Sequence, residues 1–472
     1  MRANAVDAHV GRAWRDDFSW ELLTALTEIG SRLAGSPGER RAADLVADAF
    51  DRSEADPTIE PFSMRCWRRG EASLSVRVSG RALGGDGGHE RADHGRDGGG
   101  THLDATGEIE RSFETYALPY SPAGTVEGEL VDVGDGTPAE IDAADLDGKI
   151  AVTGTTTPAG QRYVHRMEKF GHATEGGAVG VIFVNHIPGQ LPPTGSLKFD
   201  LEANVPGVGV SSETGAWLRE YAERGGEVVV SVEAGTEDGT GHNVVGTLGP
   251  DTDEQVIVLA HYDAHDVAEG ALDNGCGISV LAAAARLLSR FDLDTKVRVV
   301  ATSGEELGLV GAEALASSID LDRVRAVVNV DGAGRFRDLK AITHGSADLG
   351  DLSTRVVEGA GQPLAVDSSP HPYSDHWPFL RVGVPALQFH SERPGSSGQW
   401  ERGWTHTRAD TRDKADPRDL REHAICVSLV VRELAASHTE LDRVPPETTR
   451  ERLRKAGAEP GMRAAGVWPA EW

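Results

Sequence analysis

The stretch that most limits what this chain can fold into is 256–277, VIVLAHYDAHDVAEGALDNGCG. It begins with a β-branched apolar run, Val256 to Leu259, which reads as a buried strand. His261 and Asp263 stand at the end of that run. A glycine-containing loop follows, and then Asp273 and Asn274 just before Gly275 and Gly277. The next residues, ISVLAAAARLL, carry a strong helical pattern. Polar side chains thus fall at the carboxyl end of a strand, where open α/β sheets keep their chemistry.

The second half of the chain repeats that alternation. KVRVVATS, VRAVVNVD, a short run near AITHG and VPALQFH read as strands; 277–290, 307–318, 350–360 and 416–436 read as helices. Such alternation implies an α/β fold with a central, largely parallel sheet flanked by helices. Upstream, 18–52 reads as two helices around a Gly/Ser/Pro turn, with Ser36-Pro37-Gly38-Glu39 as the start signal of the second. Residues 57–80 alternate like strands, and 83–104, rich in Gly, Asp and His, reads as a solvated loop. Between 121 and 241 short strand-like runs (GTVEGELVDVG, GKIAVTG, AVGVIFVN, VPGVGVS, GEVVVSVEA) are broken by Gly and Pro, with helices near 137–145, 161–176 and 212–223. The domain plan is therefore one α/β domain, 15–120 and 242–436, interrupted by a β-rich insert at 121–241. A peripheral tail at 437–472 carries one short helix near 446–456.

Charge narrows the partners. With 472 residues and a formal net charge of −28, the chain repels nucleic acid and anionic membranes. Asp is abundant throughout and Arg outnumbers Lys, a haloarchaeal type of composition in which surface carboxylates hold water and salt screens their repulsion. Three separated cysteines, Cys66, Cys276 and Cys426, give no disulfide framework and suit a reducing cytoplasm. No signal-peptide core is visible, and no run approaches about 18 apolar residues, so a cytoplasmic protein without a membrane partner is expected.

Metal-type residues recur at the strand ends and loops of the α/β part. His261 and Asp263 follow the first strand, Glu305 and Glu306 follow KVRVVATSG, Asp331 follows VRAVVNV, and His406 and Asp410 lie in WTHTRADT. Imidazole and carboxylate without thiolate suit zinc or a similar divalent ion in an open site. Asp273, with two carboxylate oxygens, is suited to bridge a pair of ions about 3.5–4 Å apart. Of the adjacent glutamates, one can ligate while the other serves as general base. Asp263 is placed to take the second imidazole N–H of His261, and Asp410 to do the same for His406. Cys276, entering a helix, reads as a packing residue, and His265, His344, His371 and His390 as structural or cleft-lining.

HYD…GALDNGCG, SGEELGLVGA, NVDGAG, SDHWPF and WTHTRADT, in this order, resemble the M28 family of co-catalytic zinc exopeptidases, as does GSRLAGSPGERRAADLV near the start. DVAEGALDNG is most similar to the carboxypeptidase Q-like branch. DLDGKIAV, GAVGVIFVN and VPGVGVS resemble the protease-associated (PA) domain found inside several such peptidases. The resemblance implies two Zn2+ ions, with Co2+ or Mn2+ as substitutes in vitro. His261 and Asp331 would hold one ion, Glu306 and His406 the other, and Asp273 both, through a cis peptide to Asn274. Glu305 would be the base, supported by Asp263, and Tyr373, Asp375 and His376 would line the substrate cleft.

The activity implied is that of a metallo-exopeptidase acting on peptides or dipeptides, foremost an aminopeptidase. A carboxypeptidase or dipeptidase of the same fold is the first alternative, with Arg335, Arg393 and Arg402 as its candidate carboxylate-binding residues. A receptor-like binding protein and a single-metal cyclase fit less well, because every ligand position and the base are filled. The insert could shape substrate access, mediate a homodimer or act as a spacer.

Overall fold

The computed structural model describes residues 3–79, 101–103, 108–393 and 403–472. Most of the expected 83–104 loop and Arg402 lie outside these residues. The chain forms two compact units. One comprises the chain up to Cys66, Glu237–Glu459 and Trp468–Trp472; the other comprises Trp67–Thr236 and Pro460–Val467.

The first unit is built on a mixed sheet. Its strands run Ala365–Asp367, Asp338–Ile342, Ala386–Glu392, Val324–Val330, Gln255–His261 and Lys296–Thr302, ending on residues 244–248 of the long Glu227–Leu248 strand. The Gln255–His261 strand lies at the middle, parallel to both neighbours, and every one of its residues is buried. Two pairings are antiparallel: Lys296–Thr302 with 244–248, and Asp338–Ile342 with Ala386–Glu392. Apolar faces of the helices Phe18–Thr27, Pro37–Asp51, Cys276–Leu288 and Pro417–Leu434 close over the sheet in one core with Val256, Val258, Val297 and Val328. The expected start of the Pro37–Asp51 helix is present, with the Ser36 hydroxyl accepting from Glu39 N. Ala271–Leu288 is the one segment, among the described residues, long and apolar enough by composition to cross a membrane. It is 89% buried, a core segment of this fold.

The second unit carries its own parallel sheet, Gly124–Asp132, Ile150–Gly154, Gly180–Val184 and Gly207–Val210, around Phe170, Val181 and Phe183. Helices Pro138–Asp142, Arg166–Glu175 and Ser212–Ala222 fall where expected. The Lys169 ammonium, almost wholly buried, donates to the carbonyls of Asp135 and Gly154 at 2.6 and 2.8 Å and to that of Thr156.

The units divide the chain differently from the plan drawn on the sequence. Residues 67–120 group with the insert: Trp67 Nε1 donates to Ser121 O at 3.1 Å, and Tyr116 and Ala117 pair antiparallel with Gly209 and Val208. The tail is split as well: its helix Pro446–Lys455 belongs to the first unit and 460–467 to the second.

Candidate metal centre

Four elements of the first unit, with the late loop that carries His406, deliver the site. His261 ends its strand; Glu305 and Glu306 follow Lys296–Thr302 across Gly304; Asp331 follows Val324–Val330; Asp273 lies in the bent segment Ala271–Gly275. Neighbouring parallel strands end side by side, so residues far apart in sequence meet at one rim. The Asp273–Asn274 peptide is cis. The Asn274 side chain ties this segment to the next strand: its amide donates to Val330 O at 2.9 Å, and its oxygen accepts from Gly332 N at 3.2 Å. A Cβ on Gly277 would come within 2.1 Å of that Asn274 oxygen, which explains the glycine.

Asp273 faces both histidines. Its Oδ1 lies 3.5 Å from His261 Nε2 and its Oδ2 3.3 Å from His406 Nε2. His406 Nε2 is also 3.2 Å from Glu306 Oε2, and Asp331 Oδ1 is 4.0 Å from His261 Nε2. The donors fall into two groups whose ligand atoms lie within 4.8 Å of one another: His261, Glu305 and Asp331, and His265, Glu306 and His406. The structure thus gathers His261, Asp273, Glu305, Glu306, Asp331 and His406, the candidates at the strand ends and late loop, at one rim. It adds His265, which by sequence alone reads as structural or cleft-lining.

Two orphaned buried atoms bear on what the site holds. His261 Nε2 and Glu306 Oε1 are buried and make no hydrogen bond, a costly arrangement in a protein interior unless a cation takes the lone pairs. The imidazole–carboxylate donor set fits a divalent ion such as zinc. Cys276 is fully buried and its thiol is pushed up by burial, so it contributes packing.

The surrounding charges drive the glutamates apart. Burial, with crowding by Asp331, Glu306 and Asp375, holds the Glu305 carboxyl well above the ordinary range. Glu306 is held well below it, because His265 and His406 outweigh its burial. Asp273 is likewise held low against its burial by Arg335, His261 and His406. Two neighbouring carboxyls pushed in opposite directions are the pattern of a proton acceptor beside a ligand.

Supporting residues depart from the expectations. His261 Nδ1 lies 3.1 Å from the backbone carbonyl of Asp263, which is nearer than the carboxylate at 3.5 Å. An N–H donated there leaves Nε2 as the ligating lone pair. The Asp263 carboxylate instead accepts from Glu305 N and Glu306 N at 3.3 and 3.4 Å, holding the glutamate turn. Asp410 does not take up His406; it accepts from the backbone of Leu272 and Asp273. Burial and the nearby Asp273 push its carboxyl up to about 7.

The cleft assignments need correction too. Asp375 and His376 are fully buried. Thr302 Oγ1 donates to Asp375 Oδ2, while His376 bonds His371 O through Nε2 at 2.7 Å and stacks on His344. Their neighbour Ser374 is the one that reaches the rim, donating to Asp331 Oδ2 at 2.7 Å. Tyr373 is half-buried, edge-on to His371.

Two arginines were missed or misread. Arg32, fully buried, clamps both ends of the loop after His261, donating to Tyr262 O at 3.0 Å and to Glu269 O and Gly270 O at 2.5 and 2.9 Å. Its signal in the sequence is the GSRLAG run, in which nothing local marks the arginine as buried. Arg335, a candidate for binding a substrate carboxylate, donates instead to Leu272 O at 2.6 Å, Asp273 Oδ1 at 2.8 Å and Asp331 Oδ1 at 3.3 Å.

An α/β sheet with imidazoles and carboxylates converging at adjacent strand ends defines a metallohydrolase. Residues 243–431 match the family model of Peptidase family M28, and 126–218 match that of the PA domain. Residues 243–431 are thus of the M28 peptidase type and 126–218 of the PA type, and the chain acts as a hydrolase of peptide bonds. Aminopeptidase YwaD of Bacillus subtilis (strain 168) is 25% identical over 454 residues, 93% of this chain and 88% of that protein. An aminopeptidase from Aneurinibacillus sp. strain AM-1 superposes with a TM-score of 0.65 at 26% identity, over 93% of this chain and 98% of the other. BSAP, a zinc aminopeptidase from Bacillus subtilis, shares the fold with a TM-score of 0.66 at 23% identity, over 91% and 97%.

Proposed function

We propose that this peptidase is an aminopeptidase that removes N-terminal residues from peptides or dipeptides at a two-zinc centre. The observation that carries the two-ion reading is Asp273, whose two oxygens face the imidazoles of His261 and His406 at 3.5 and 3.3 Å. His261 and Asp331 would hold one ion, Glu306 and His406 the other, and Asp273 both. A bound zinc pair supplies Lewis acidity at the scissile carbonyl and makes water easier to deprotonate.

The chain's own residues do the rest. Glu305, its proton affinity raised by burial, takes the proton of the attacking water and passes it to the leaving amine. The Asp263 carboxylate fixes the turn carrying both glutamates, and so the spacing between base and ligand. Ser374 and Arg335 orient Asp331, and Asp410 orients Asp273 from behind.

Two observations favour the amino end. The aligned relatives are named aminopeptidases. Arg335 is committed to Asp273 and Asp331 rather than open to a substrate carboxylate, and exposed Arg393 lies over the Trp404 ring. The direct test is a zinc-supplemented assay at high salt against free-amine, N-blocked and C-amidated peptides. Cleavage of amidated but not N-blocked substrates is expected. The reverse pattern would identify a carboxypeptidase, and no cleavage by the zinc-loaded protein would sink the reading.

Further proposals rest on composition and resemblance. Co2+ or Mn2+ would replace zinc in vitro. The net charge of −28 supports a high-salt cytoplasm of haloarchaeal type, and unfolding on dilution into low salt is the check. The carboxypeptidase Q-like wording of DVAEGALDNG supports placement near that branch, and the PA domain would shape substrate access or pair two copies.

A further inference from the structure

We infer that His265 is a direct ligand of the second ion, making that site a four-donor cage of Asp273, His265, Glu306 and His406. The inference rests on the metal-centre reading above. His265 and His406 approach the same oxygen, Glu306 Oε2, with their Nε2 atoms at 2.9 and 3.2 Å. Asp273 Oδ2 is 3.3 Å from His406 Nε2. Donors on a tetrahedral zinc, each about 2.0–2.1 Å from the metal, stand about 3.3 Å from one another. Three of the six edges of such a tetrahedron are thus present at close to that length, and the ligand atoms of His265, Glu306 and His406 all lie within 4.8 Å of one another.

The rings are arranged to allow it. Their centroids are 4.4 Å apart and their planes meet at 77°, so both can aim a nitrogen at one point without stacking. His265 is almost wholly buried, as are Glu306 and His406. The loop that carries it is held at both ends by Arg32, and Ala264 N donates to Arg32 O at 3.2 Å. A histidine on a loop pinned by a buried guanidinium is preorganised for ligation. The two ions would then differ in kind. Asp273, His261 and Asp331 give the first three protein donors and an open position. The second, with four, is closed in the manner of a structural zinc.

The test uses the full-length protein with Zn2+ and Co2+ as probes, in chelator-competition titrations and visible spectroscopy. The wild type should bind two ions per chain. His265→Gln, which keeps a donor toward Glu306 but ligates poorly, should weaken the second step by more than about a hundredfold, beyond the 10–100-fold typical of losing only an outer hydrogen-bond partner. His265→Cys with Co2+ should show a thiolate-to-cobalt charge-transfer band absent from the wild type, a readout independent of activity. An unchanged second step in His265→Gln together with no such band in a folded His265→Cys would overturn the inference and leave His265 as an orienting residue. A wild type that takes up no ion would overturn the metal-centre reading itself, and this inference with it.

Discussion

Asp410 stands behind Asp273: its two carboxylate oxygens accept the backbone N–H groups of Leu272 and Asp273 at 2.6 and 3.1 Å. The carboxylate proposed to bridge two ions is therefore aimed by a second carboxylate that grips its own backbone. Asp410→Asn replaces one acceptor with an NH2 group facing an N–H. Zinc affinity should fall by about 10–100-fold while the fold survives, as read by chelator competition and circular dichroism. Unchanged affinity would mean that Asn274 and Arg335 alone position the bridge.

Glu305 and Glu306 should separate cleanly. Glu305→Gln should keep both ions and lose about 10²–10⁴-fold in kcat, the usual contribution of a positioned base. Glu306→Gln should release one ion. Metal content of the purified variants checks both. Release of an ion from Glu305→Gln would place Glu305 among the ligands with His261 and Asp331, a grouping its distances also allow.

The acid limb of the pH profile should be displaced upward. Glu305 accepts a proton only when ionised, and burial and neighbouring acids raise its proton affinity. kcat/KM should thus fall, as pH is lowered, at values above the ordinary glutamate range near about 4.3. A limb at the ordinary carboxylate value would show that the base lies elsewhere.

Lys169 secures the PA unit through three backbone carbonyls. Lys169→Met leaves those acceptors buried without a donor, at a cost of about 3 kcal/mol. Differential scanning calorimetry should show this unit melting earlier. An unshifted transition would mean that water replaces the ammonium.

The sheet and the donor cluster were legible because a strand end fixes where a side chain goes. The run Val256–Leu259 announced its strand, and His261, Glu306 and Asp331 sit at the ends of adjacent strands. What sequence spacing misread were contacts to backbone. Asp263 and Asp410 were assigned to imidazoles near them in sequence, yet both accept main-chain N–H groups. Such bonds leave no pattern of residue types. Arg32 meets its loop across 230 residues of chain, and no local periodicity reports that. The unit that holds the insert also takes in 67–120, through pairings such as Tyr116 and Ala117 with Gly209 and Val208, which are far apart in sequence and leave no local signal. Asp375 and His376 looked like cleft residues by their chemistry, and only packing shows that they lie beneath the rim.

Arg335 gives the centre a cation of its own. Its guanidinium reaches Asp273 and Asp331 at once and stays charged in the interior because of them. Without it, the acids at this rim would repel one another in a newly made chain until a dication arrived. With it, the chain carries a counter-charge of its own, built into the rim as part of the polypeptide and held against two of the acids that face the ions.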